Sequence, residues 1–295
     1  MPELPEVETV RRGLEPVLGM AITGCEVRRR DVIRDRTHDT PNPRRGRIAP
    51  GSLGVGARVT ELIRRGKQLA MVHADDSGHE GVIVIQLGMS GQVSLIDTAR
   101  IPDAKHAHVV WSLEDARRVV FRDVRRFGGV TLLPDRASLD AFWEPLGPDA
   151  LSVTGGQLRA GLGSSIRAVK AALLDQGVLA GVGNIYADES LHRAGIDPRT
   201  LCVDLGRASV DRLAASIRAV LRDAIKARGS TLRDYRDTDN QPGKAQRLHR
   251  VYNRAGQPCP GCGTPIAHTR IAQRSTCWCP RCQPHIPDFR ASDRF

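Results

Sequence analysis

Lysine is scarce in this chain. Only five of its 295 residues are Lys, at positions 67, 105, 170, 226 and 244, against 44 Lys and Arg combined. The positive charge is therefore almost all guanidinium. Net charge is still +11 and the isoelectric point about 9.9, a balance that points to a polyanionic partner. An Arg-rich codon usage would bias the composition the same way, so charge alone does not settle the partner. Long apolar runs are also missing. No stretch approaches the ~18 residues that a membrane helix needs. Nor does the chain open like a secretory leader, because its first residues are acidic where a leader is basic and then apolar. Without a leader, the seven cysteines read as thiols or metal ligands rather than disulfides. No internal repeat is visible. These absences predict a soluble, cytoplasmic, monomeric protein with no membrane partner, and the length allows two or three domains.

The first dozen residues, Met1-Pro-Glu-Leu-Pro-Glu-Val-Glu-Thr-Val-Arg-Arg, organise the rest. If Met1 is trimmed, the nitrogen of Pro2 becomes a secondary amine. An α-amino group titrates near ~7.7–8.0 against ~10.4 for Lys, so roughly a tenth is free base at pH 7. Such an amine can attack a carbonyl or anomeric carbon and form an iminium. That iminium is cationic without carrying a proton, so it draws electrons at any pH. Glu3, Glu6 and Glu8 lie close by. Pro5 suits a first helical turn, and Val7, Val10, Leu14 and Val17 recur at helical spacing. Acidic residues there also simply complement a helix dipole.

Further along, residues 34–52 are polar and rich in Arg, Pro and Gly, which predicts an exposed loop. Residues 55–133 alternate or are β-branched in seven runs broken by Gly, Asp or Ser, as in a two-sheet sandwich. Residues 134–150 carry three prolines and read as a hinge. Helices are expected at 165–176, at 184–194 with Gly195 as its stop, and from Ser209 to before Gly229. Near the end, Cys259-Pro-Gly-Cys262 and Cys279-Pro-Arg-Cys282 form two knuckles at the spacing of a closed four-thiolate zinc site. Cys277 offers a competing ligand, but Cys279 preserves the knuckle. One structural Zn2+ is the expected cofactor.

These blocks resemble the formamidopyrimidine-DNA glycosylases, bacterial base-excision repair enzymes that excise oxidised purines. The likeness starts at MPELPEVETVRRGL and runs to about Cys282. It implies an α+β protein: an N-terminal helix and two-sheet β-sandwich at 2–134, a helix–two-turn–helix domain at 149–242 built around Gly181-Val-Gly-Asn-Ile-Tyr, and a zinc-finger β-hairpin at 250–284. It implies a bifunctional glycosylase/abasic-site lyase whose partner is double-stranded DNA with oxidised bases or abasic sites. Pro2 would be the nucleophile, Glu3 the proton donor to the sugar and Glu6 its support. Lys67 would serve β-elimination, and Arg274, at the finger tip, δ-elimination.

A glycosylase must also flip its target out and fill the hole. An unbranched apolar wedge, a stacking aromatic and a guanidinium do that. Met89, Phe127 and Arg125 resemble the family's void fillers, in Gln86-Leu-Gly-Met89 and Asp123-Val-Arg125-Arg126-Phe127-Gly. His106, Lys170 and Asn184 match DNA-contacting positions, Asn184 at a helix start where phosphate is attracted. Residues 233–247 correspond to a loop that closes over the flipped base. Gln86 stands where relatives often have His, and Val124 where many have Pro. Two other readings are an endonuclease VIII-like enzyme for oxidised pyrimidines, against which Leu4 and Arg125-Arg-Phe127 speak, and a non-catalytic zinc-finger DNA-binding protein.

Overall fold

The computed structural model describes residues 2–37, 48–97 and 104–284. Met1 and most of the expected 34–52 loop lie outside them. The chain forms two compact units, one of residues 1–145 with 227–246 and the other of 146–226 with 247–295. The expected 149–242 domain is thus divided at Lys226.

The first unit opens with α1, Leu4–Gly13. Its start is set by a capping box, in which Glu3 and Glu6 each accept the other's backbone N–H, with Pro5 in the first turn where its missing N–H costs nothing. Leu4, Val7 and Val10 are buried along one face, and Leu14 and Val17 continue that stripe beyond the helix. The strands are β1 (Ile22–Val27), β2 (Ile33–Asp35), β3 (Arg58–Arg65), β4 (Gln68–Ala74), β5 (Glu80–Gln86), β6 (Gly91–Ile96), β7 (Ala107–Leu113), β8 (Arg118–Asp123) and β9 (Gly129–Leu133). They form a four-stranded sheet, β1-β7-β8-β6, and a five-stranded sheet, β2-β9-β5-β4-β3. One core holds Val7 and Val10 of α1 together with Met71, Ile83 and Ile85 from one sheet and Val93, Trp111 and Phe121 from the other. This is the expected sandwich. The 134–150 stretch differs from a plain hinge, since Asp135 caps a short helix, α2 (Arg136–Trp143), by accepting the N–H of Ser138.

The returning segment 227–246 packs on the same unit. Tyr235 joins the sandwich core, and its hydroxyl donates to the Glu6 carbonyl at 3.3 Å. Burial, and next the charge of Glu6, push that phenol above its ordinary pKa, so it stays a neutral donor.

The second unit holds α3 (Gly155–Leu162), α4 (Val169–Leu174), α5 (Asn184–Ala194) and α6 (Arg207–Lys226), with the hairpin β10 (Ala267–Ile271) and β11 (Arg274–Trp278). Helix α4 is shorter than the expected 165–176. Helix α5 keeps its expected bounds and ends on Gly195, whose φ of +67° places it in the left-handed region that closes helices. Among the described residues, no helix is long and apolar enough to cross a membrane.

Candidate active site and nucleic-acid interface

Pro2 is buried immediately before the helix cap at Glu3. Glu3 is 2 % exposed and Glu6 1 %, so both acids sit in the interior beside the terminus. One carboxylate oxygen of Glu6 accepts the Glu3 N–H at 2.8 Å, and the other accepts the Ser230 N–H at 2.7 Å. Glu6 thereby joins the start of α1 to the returning segment. Gly229 permits this, because its φ is +76° and a Cβ there would lie 2.8 Å from the Glu6 carboxylate.

Lys67 sits in the two-residue turn between β3 and β4, where Arg65 pairs with Gln68 and Gly66 takes a φ of +57°. An ion cluster around the buried side chains of Glu8 and Arg64 ties that turn to α1. Glu8 accepts from Arg64 at 3.0 Å, from Arg12 at 2.8 Å and from Arg11 at 3.2 Å. Arg64 also donates to the Gly66 carbonyl at 3.1 Å. Burial works to raise the Glu8 carboxyl, but the hydrogen bonds of Arg11 and Arg12 and the charges of Arg11 and Arg64 outweigh it and hold the group below its ordinary range.

The expected void fillers stand out from the sandwich. Met89 is 37 % exposed and Phe127 59 %, and the Arg125 guanidinium lies over the Phe127 ring at 4.9 Å. Gly88 and Gly128 bring their two turns together, since a Cβ on Gly88 would lie 2.3 Å from the Gly128 nitrogen. Val124 is exposed beside them, so proline's absence there disturbs no packing. His106 is half-buried just before β7.

In the second unit, the sulfur atoms of Cys259, Cys262, Cys279 and Cys282 all lie within 4.8 Å of one another. Ligands about 2.3 Å from a tetrahedral zinc would be about 3.8 Å apart. The Cys259–Cys282 separation is 3.9 Å and the Cys262–Cys279 separation 3.4 Å, which fits zinc and is far too long for a disulfide bond. Cys277 stands outside the cluster; it is buried on β11, and its N–H donates to Asp188 at 3.0 Å. Arg274 is exposed at the hairpin tip, after a turn in which Ala272 and Gln273 both have positive φ, as a tight two-residue hairpin turn requires.

Two of the residues expected to contact DNA reach the finger strand β11. Lys170 is fully buried, with an ion pair to Asp188 at 2.7 Å and donated bonds to the Ser275 carbonyl at 2.7 Å and the Thr276 hydroxyl at 2.9 Å. The expectation of a DNA-facing lysine is corrected: its charge holds β11 against α4 and α5 and does not reach a surface. Asn184 is the first residue of α5 rather than its cap, which is Gly183, and its amide donates to the Ser275 carbonyl at 2.9 Å. Both side chains therefore converge on the residue that follows Arg274.

Three family models match the chain in order. They describe the formamidopyrimidine-DNA glycosylase N-terminal domain at residues 1–130, the H2TH domain of the same enzymes at 146–236, and a zinc finger found in FPG and IleRS at 256–284. The chain belongs to the formamidopyrimidine-DNA glycosylase family. It is 40 % identical to the formamidopyrimidine-DNA glycosylase of Methylobacillus flagellatus, over 99 % of both chains. It is 44 % identical to that of Cereibacter sphaeroides, over 96 % of this chain and all of the other. Among solved structures it resembles the MutM (Fpg) protein of Thermus thermophilus, with 39 % identity, a TM-score of 0.78 and coverage of 97 % of this chain and 100 % of that one. It also resembles a Lactococcus lactis Fpg in complex with abasic-site DNA, with 31 % identity, a TM-score of 0.81 and coverage of 96 % and 100 %.

Within this glycosylase family frame, sequence reasoning passed over the residues that hold the exposed ones. Asp123, 0 % exposed, accepts from the Ser90 hydroxyl at 2.6 Å, from the Gly128 N–H at 2.7 Å and from the Arg125 N–H at 3.2 Å. Nothing in the residue pattern of that block, read for its arginines and phenylalanine, marks Asp123 as buried.

Proposed function

We propose that this protein is a bifunctional DNA glycosylase/abasic-site lyase that excises oxidised purines such as 8-oxoguanine and formamidopyrimidines. The observation that carries the reading is the buried Pro2–Glu3–Glu6 constellation at the start of α1. With Met1 removed, the Pro2 amine attacks C1′ of the damaged nucleotide. The bond from C1′ to the base nitrogen breaks, the base leaves with the electron pair and takes up the proton that the Pro2 nitrogen loses, and a proton from Glu3 to the sugar ring oxygen opens the ring to the iminium. Glu6, bonded to the Glu3 backbone, holds that acid in place. The iminium acidifies C2′; loss of that proton expels the 3′ phosphate, and a second elimination expels the 5′ phosphate. Lys67 is assigned to the first elimination and Arg274 to the second, on the match of their motifs to the family.

Met89, Phe127 and Arg125 are assigned to the space left by the flipped nucleotide, supported by their exposure and adjoining turns. His106 and Asn184 are assigned to backbone contacts. Zinc, held by Cys259, Cys262, Cys279 and Cys282, supplies no chemistry and fixes the finger that carries Arg274. The relatives bound to abasic-site and Fapy-dG-containing DNA support a duplex substrate for this chain.

Glu3→Gln tests the assignment. It keeps the nucleophile and removes the acid, so excision from an 8-oxoguanine duplex should vanish, while cleavage of a pre-formed abasic site, whose sugar opens spontaneously, should persist. Equal loss on both would contradict the role of Glu3. A panel of duplexes, each with one lesion, separates the purine reading from the pyrimidine one.

A further inference from the structure

A wedge that enters a base stack must not yield when it meets resistance. The turn carrying Arg125 and Phe127 projects four exposed residues in a row, 124–127, from the end of β8. Arg126 within it takes a φ of +58°, a left-handed conformation that long side chains seldom adopt unaided. Something must hold it.

Resting on the function proposed above, we infer that Asp123 is the positioning residue of this probe, with its carboxylate fastening the Met89 turn and the Arg125–Phe127 turn into one rigid body. The two oxygens of Asp123 serve both sides. One accepts the Ser90 hydroxyl, next to Met89, at 2.6 Å, and also the Arg125 N–H at 3.2 Å. The other accepts the Gly128 N–H at 2.7 Å. The bonds at 125 and 128 bracket the strained Arg126 and the exposed Phe127. The Ser90 oxygen adds a second link by accepting the Arg125 N–H at 2.9 Å. From below, His108 lies with its Nε2 2.6 Å from the Asp123 carbonyl, a contact in which the ring nitrogen donates. Ser90 and His108 are 3 % and 2 % exposed, so water does not compete for these bonds. The sulfur and ring that would meet DNA are thus exposed side chains on a hydrogen-bonded backbone.

A carboxylate is required, because it accepts on both oxygens. Asp123→Asn places an amide nitrogen against one of the N–H or O–H donors, so donor faces donor at one side of the turn. Ser90→Ala removes only the link to the Met89 side.

The test compares wild type, Asp123→Asn, Ser90→Ala, the Met89→Ala/Phe127→Ala double variant and, as a stability control from β3, Val59→Ala. Single-turnover rates are read on an 8-oxoguanine duplex and on a pre-formed abasic site. Asp123→Asn should lower excision by roughly tenfold or more, the scale of a lost buried hydrogen bond, and should lower abasic cleavage far less, the same bias as in the double alanine variant. Ser90→Ala should show the same bias in weaker form. Equal losses on both substrates, or an excision loss no larger than that of Val59→Ala, would overturn the inference. Amide exchange reads the claim without turnover: Arg125 and Gly128 should lose protection in Asp123→Asn and keep it in Val59→Ala. Unchanged protection in Asp123→Asn would also overturn it, whatever the enzyme's lesion preference. Absence of any excision by wild type would instead defeat the functional reading.

Discussion

Lys170→Met should be among the most damaging single changes in the second unit, for reasons that have nothing to do with surface charge. Lys170 and Asp188 are both essentially inaccessible, and their side chains meet at 2.7 Å. Removing one partner of such a pair leaves the other charge buried, which costs about 3–5 kcal/mol. Replacing both partners with neutral groups avoids that cost. Asp188→Asn keeps an acceptor for the Cys277 N–H, so Lys170→Met/Asp188→Asn should regain about 2 kcal/mol or more relative to the sum of the single changes. The pH dependence has a definite sign. Burial pushes the Asp188 carboxyl up to about 6, and the Lys170 ammonium offsets that only in part. A raised carboxyl favours the fold fully below the unfolded value, near ~3.9, and loses that contribution as pH rises through the folded value. In Lys170→Met the carboxyl rises further, so its stability deficit should be smallest near pH 4–5 and grow towards neutrality. The assay is urea unfolding of the zinc-loaded variants at several pH values. Additivity of the single changes within about 0.5 kcal/mol would show that the pair is not coupled and would refute the reasoning. A deficit that does not vary with pH would do the same.

Cys259→Ser or Cys282→Ser should lose both metal and duplex binding, while Cys277→Ser keeps about one zinc per chain; metal analysis of the purified variants decides, and zinc loss in Cys277→Ser would move the ligand set. Arg64→Met removes both the Glu8 ion pair and the bond to the Gly66 carbonyl. It should slow strand cleavage at an abasic site more than it slows borohydride trapping, because it loosens the Lys67 turn and leaves the nucleophile. Equal slowing of the two would show that the cluster supports the helix alone.

The sandwich was legible because its strands are alternating or β-branched apolar runs set between short polar breaks, and all seven expected runs are strands. Two strands were not. In β1 the register shifts between Ile22 and Gly24, so the alternation is broken, and β2 is a three-residue parallel strand too short to leave a pattern. The prolines of 134–150 concealed α2 because Pro134 and Pro145 flank it instead of interrupting it. The zinc ligands were legible because their spacing is their geometry. Lys170 was misread because the residues that bury it, Asp188, Ser275 and Thr276, come from α5 and from the finger, over 100 residues away in the last two cases. Asp123 was passed over because hydrogen bonds to backbone N–H groups leave no trace in a residue pattern.

The central claim is that the N-terminal nitrogen becomes covalently attached to DNA. The direct measurement is mass spectrometry of the adduct formed when the protein, incubated with an abasic-site or 8-oxoguanine duplex, is reduced with borohydride. The account predicts one adduct per chain, on Pro2 of the form that has lost Met1, and none when Met1 is retained and the nitrogen is a tertiary amide. An adduct mapped to Lys67, or to any residue other than Pro2, would contradict it.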